Sequence, residues 1–96
     1  MEVGTILCGT WGATMTIPEF YKVTRVMPKT FEVVELGKRM LKDGSDGYGQ
    51  KGYEVPVESE LVAVRKGKGN VVMGEFGERV YVKEWDGKPI WADYMD

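Results

Sequence analysis

The chain has 96 residues, a net charge of −2, one cysteine and no histidine. That length gives a single domain with a modest core, and its 43% hydrophobic and 29% charged residues are those of a globular chain. The charge argues against a dedicated nucleic-acid binder, whose affinity comes from a basic surplus, and the missing histidines remove the commonest general base and the commonest transition-metal ligand.

Thr5 to Trp11 is a β-prone run and the first expected strand, with Cys8 inside it as a small buried hydrophobe. Residues 12–19 follow as a loop or one short helical turn: Thr16 and Glu19 have capping-box spacing, and Pro18 suits a first turn. Phe20 to Met27 alternates as a strand, with Tyr21, Val23 and Met27 on one face and Arg25 breaking the pattern. Pro28 presets a tight turn, and Thr30 to Leu36 returns as the hairpin partner, Phe31 and Val33 sharing a face.

Residues 43–52 carry four glycines and read as a mobile loop; the spacing of a phosphate-cradling loop is absent. Tyr53 to Val57 is a short strand that Pro56 confines to an edge or a bulge, and Leu61 to Val64 extends beyond it. Arg65 to Asn70 reads as a polar turn, followed by Val71 to Met73 and a clear strand over Arg79 to Trp85. Asp86-Gly87 is the strongest two-residue hairpin signal in the chain, so Lys88 to Tyr94 is expected to pair back on that strand and bring Trp85 near Trp91. Six or seven short strands with glycine and proline turns make the expected fold mainly β: a small SH3-like barrel or a compact antiparallel β-sandwich over residues 1–96.

Catalytic groups are scarce. Ser45 and Ser59 have no histidine to activate them, Cys8 lacks a partner base, and alternation puts Glu32 and Glu35 on opposite faces. No enzyme activity, cofactor or metal site is expected. The lone thiol gives no intramolecular disulfide, the first residues show neither a basic nor a long apolar stretch, and no segment has the run needed to cross a bilayer; a cytoplasmic protein without membrane contact is expected.

The composition favours binding. Eleven aromatic residues exceed what so small a core can enclose, and Trp and Tyr suit contact surfaces because each joins a large apolar face to a polar tip. Residues 20–42 hold six bases against two acids, whereas residues 69–96 hold six acids against three bases, so the basic stretch can meet an acidic protein or a phosphate. An uncovered sheet edge would also let two copies pair.

The stretch from Trp11-Gly12 through Thr14 and Thr16 to Phe20-Tyr21-Lys22-Val23 resembles a family of small uncharacterised bacteriophage and prophage proteins. Lys29-Thr30, Gly47-Tyr48-Gly49 ahead of Val55-Pro56, and Trp85-Asp86-Gly87-Lys88-Pro89 extend the resemblance over most of the chain. Where relatives carry a more polar Tyr-Asp-Gln-Thr-Asn-like run, this chain keeps only Thr16. The resemblance implies a mobile-element origin; taken with the aromatic excess and the scarcity of catalytic groups, the expected function is a phage-type accessory protein that works by binding, blunting a host defence by covering a protein surface or sequestering a small nucleotide. The expected contact residues are Trp11, Thr16, Tyr21, Arg25, Tyr48 and Tyr53, with Trp85, Lys88 and Trp91 as a second cluster. A nucleic-acid-binding barrel and a structural virion or assembly component are the rival expectations.

Overall fold

A computed structural model describes residues 1–41 and 51–94, and its regular structure is entirely β. Seven strands follow in order: β1 (Ile6–Trp11), β2 (Ile17–Val26), β3 (Phe31–Met40), β4 (Lys51–Lys68), β5 (Val71–Met73), β6 (Arg79–Glu84) and β7 (Ile90–Asp93). All pairings are antiparallel. Strands β1 to β6 each pair with the next, and β6 returns to β1 through Leu7–Glu84, Cys8–Lys83 and Gly9–Val82, which closes a six-stranded barrel. Closure leaves few exposed edges. The ends of β3 and β4 continue their pairing through Met40–Glu54, and the molecule measures 44 Å by 25 and 20 Å.

Alternation along the strands fills two cores. Leu7, Tyr21, Val23, Phe31, Val33, Val72, Val80 and Val82 pack together inside the barrel. Their neighbours Cys8, Phe20 and Leu36 face the opposite way and are also buried, under Ile6, Val34, Trp85 and Ile90. Burial of both Phe20 and Tyr21, each 0% exposed, makes β2 the wall shared by the two cores. The break noted at Arg25 is a bulge: Val23 pairs with Val33 and Arg25 with Glu32, so Thr24 is left out of the ladder.

Four expectations are corrected. The helical turn at Thr16–Glu19 does not form, because Ile17 and Pro18 pair with Trp11 and Thr10 and Thr16 exchanges two backbone hydrogen bonds with Asp93. Arg65–Lys68 is strand, and only Gly69-Asn70 turns; Gly69, at φ +63°, supplies the positive angle that a two-residue turn needs at its first position. Lys51 and Gly52, placed in the glycine loop, begin β4 and pair with Asp93 and Ala92; residues 43–50, Tyr48 among them, lie outside the described residues. Finally, β7 does not pair with β6. Both edges of β6 are taken, by β1 and β5, so the chain after Asp86-Gly87 crosses the barrel's outer wall and adds to the start of β4. Trp91 therefore stands opposite Tyr53, ring centroids 5.4 Å apart, and Trp85 meets Phe20 edge-on at 5.8 Å.

No helix among the described residues is long and apolar enough to cross a membrane.

Candidate functional site

An open groove of about 640 Å³ lies between the outer wall of β1–β6 and the segment that carries the chain from β6 to β7. The segment is fixed from three sides. The Trp85 indole N–H donates to the Lys88 carbonyl at 2.8 Å, the Lys88 amide donates to the Asp86 carboxylate at 2.9 Å, and the Trp85 ring sits on Phe20. Two short-range bonds within a four-residue turn, with a half-buried ring packed on the second core, hold one rim of the groove in place.

Tyr81 and Lys83 come from the wall, and Lys88, Ile90 and Trp91 from the rim; the Cys8 side chain lies at the floor. Val80 and Val82 point into the barrel, so Tyr81 between them points out and is 62% exposed, and Trp91 is 38% exposed. The groove thus offers two aromatic rings and two lysine amines, with the Asp86 carboxylate at one end. Burial raises the Cys8 thiol above its ordinary pKa, Lys83 opposes the shift and Asp86 adds to it. That keeps the sulfur protonated at neutral pH, as an apolar floor and not a thiolate nucleophile.

The expected contact residues divide between places. Lys88 and Trp91 line the groove, with Tyr53 against the outer side of the Trp91 ring. Trp85 serves as the pin of the rim. Trp11 is half-buried at the barrel end, its indole N–H on Glu19 at 3.0 Å, and Thr16 is occupied with β7. Arg25 is exposed at the end of β2 beside Glu32. Tyr21 is corrected outright: it is sealed inside the barrel and touches no solvent. Tyr81 and Lys83 were missed, although the Val80-Tyr81-Val82 alternation marks Tyr81 as the outward residue of its strand.

The barrel end around Trp11 carries the other polar cluster. Glu19 also accepts from Lys38 at 2.9 Å, and Arg65 donates to Glu35 at 3.2 Å. The Tyr21 hydroxyl points toward this end, fully buried, with no hydrogen-bond partner among the described residues. Burial, and then the carboxylates of Glu19, Glu35 and Glu78, push its pKa upward. The Tyr94 hydroxyl, bonded to the buried Glu54, shifts the same way, burial first and that bond second.

Raised folded-state values for an acid have one sign. Below about pH 10, the ordinary tyrosine value, folded and unfolded chains both hold these protons; above it only the unfolded chain releases them readily, so stability falls. Thermal melts are expected to hold steady up to about pH 9.5 and then drop. Tyr21→Phe is expected to flatten that drop and, since an unpartnered buried hydroxyl costs about 1–3 kcal/mol, to leave stability at pH 7 unchanged or about 1 kcal/mol higher. A loss of more than about 1 kcal/mol on that change would show that the hydroxyl has a partner.

Comparison with protein-family models, with curated proteins and with solved structures finds no match to this chain.

Proposed function

We propose that the chain is a non-enzymatic binding protein whose groove takes a small planar anion of the nucleotide class. The observation that carries the proposal is the pairing of two exposed rings, Tyr81 and Trp91, with two amines, Lys83 and Lys88, around one space. An aromatic face accepts a base by stacking, and ammonium groups accept a phosphate. The volume falls within the roughly 300–1,000 Å³ usual for small-molecule sites. With the resemblance to phage and prophage proteins, this makes sequestration of a host nucleotide the preferred form of the accessory role.

The basic stretch 20–42 supports a nucleic-acid reading less well. Lys22 lies by Glu58, Arg25 by Glu32 and Lys38 by Glu19, so half of its six bases already face carboxylates within 4 Å.

Titration with a panel of mono-, di- and cyclic nucleotides, followed by tryptophan fluorescence, tests the proposal. Saturable quenching is expected for at least one of them. Tyr81→Ala and Lys88→Glu are each expected to weaken it about tenfold, the effect of losing one stack or one charge contact of about 1–3 kcal/mol. A flat response across the panel at low salt overturns the proposal.

A further inference from the structure

Residues 69–96 are acidic as a group, with six acids against three bases, and those bases are Arg79, Lys83 and Lys88. All three stand around one ring. Val80 and Val82 point into the barrel, so Arg79, Tyr81 and Lys83 form the outward row of β6, each about 7 Å from the next along the strand. All three are exposed. Lys88 belongs to the turn that follows β6 and meets the Lys83 end of the row from across the groove. Arg79 lies past the opposite end, two residues beyond Tyr81 on the same face.

The nearby acids are engaged or turned away. Glu78 accepts the Phe76 amide at 2.9 Å within its own loop, and Asp86 accepts the Lys88 amide at 2.9 Å. Glu84 alternates to the other face of β6, opposite Leu7. The outward positions of the adjoining strands are Val71 and Met73 on β5 and Cys8 and Thr10 on β1, and none carries charge at neutral pH. Among the described residues Arg79, Lys83 and Lys88 form no ion pair, whereas Lys22, Arg25, Lys38 and Arg65 each do. Three unneutralised cations on one face of a chain of net charge −2 make that face the place where an anion is attracted.

The row also has an order: two amines at one end, a ring in the middle, a guanidinium at the other end. A nucleotide with its base on Tyr81 and a phosphate between Lys83 and Lys88 leaves Arg79 free on the far side of its sugar. The two ends differ in kind. An amine on a flexible stem takes a phosphate as a point charge, and a guanidinium takes it through two parallel N–H donors. The rings accept any planar group, so the separated charges do the choosing. Resting on the reading of the groove as a nucleotide site, we infer that Arg79 is a specificity residue for a second phosphate. The preferred ligand is a nucleotide phosphorylated on both sides of its sugar, such as a nucleoside 3′,5′-bisphosphate, over the corresponding 5′-monophosphate.

The test is tryptophan-fluorescence titration of the full chain at low salt with the 5′-monophosphate, the 5′-diphosphate and the 3′,5′-bisphosphate of each of the four ribonucleosides. For at least one nucleoside the bisphosphate is expected to bind about tenfold tighter than the monophosphate, the effect of one added charged contact. In Arg79→Ala the two are expected to bind equally. Arg79→Lys keeps the charge and loses the fork, and is expected to restore part of the preference. The 5′-diphosphate carries its extra charge on one side only, so its advantage over the monophosphate is expected to be the same in wild type and Arg79→Ala. Lys88→Glu is expected to weaken mono- and bisphosphate alike and to keep their ratio. Circular dichroism checks that each variant keeps the fold. Equal affinity of the wild type for mono- and bisphosphate overturns this inference and leaves the groove reading standing; so does a preference that survives Arg79→Ala. No binding of any ligand overturns both. A single-stranded octanucleotide that binds more than about tenfold tighter than every bisphosphate also overturns the inference, in favour of a strand laid along β6.

Discussion

Phe20→Ala is expected to destabilise the protein by about 3–5 kcal/mol, the usual cost of deleting a buried ring. A whole domain holds only about 5–15 kcal/mol, so this one change takes a large share. Phe20 is 0% exposed and lies between the barrel's outer wall and the pinned segment that forms the groove's rim. The loss has two parts. One is the cavity left beside Cys8 and Leu36; the other is the edge-to-face contact with Trp85, which such pairs value at about 0.5–1.5 kcal/mol beyond burial. Urea unfolding measures the first, and the near-ultraviolet circular dichroism of Trp85 reports the second. A melting temperature lowered by more than about 12 °C is the expected scale. If stability falls by less than about 1 kcal/mol, the outer core is not a structural core. If it falls as expected while nucleotide binding survives intact, the rim does not depend on it.

The second large effect is expected at Gly9. A methyl group there would lie 2.3 Å from the Tyr81 carbonyl oxygen and 2.9 Å from a Val80 methyl. The first obstacle is backbone and cannot rotate away, so β1 and β6 must separate along the seam that closes the barrel. Gly9→Ala is therefore expected to cost about 3 kcal/mol, the upper range for overpacking, and to shift Tyr81 in the groove. Glycine costs more chain entropy than alanine, so without the clash the same change would stabilise by about 0.5–1 kcal/mol. The two possibilities differ in sign, and a denaturation curve decides between them.

The parts of the fold legible in the sequence are those set by near neighbours. The β2–β3 hairpin is written in Tyr21, Val23, Phe31 and Val33 on either side of Pro28, and β1 and β6 in short alternating runs; all appear where expected. What the sequence conceals is set at a distance. Asp86-Gly87 is a sound local turn signal, yet nothing in residues 79–94 reveals that β1 already holds the edge β7 would need. The length of β4 is hidden by Pro56 and by the slipped register near Leu61, which break the alternation that marks a strand. The site divides in the same way. Rings in excess of the core were countable, but their placement required knowing that the outer wall has a core of its own, which takes Phe20 and most of Trp85 and leaves Tyr81 and Trp91 at the surface.

The seam between β1 and β6 also sets an order of events. It joins Leu7–Gly9 to Val82–Glu84, the first strand to the sixth, whereas the hairpins join residues close in sequence. Contacts so remote in sequence form slowly, since a long loop must close before they reward it. During synthesis β1 therefore leaves the ribosome with its outer edge bare and keeps it so until β6 has emerged. For this protein the window of exposure to misassembly is the time that β2 to β5 take to be made.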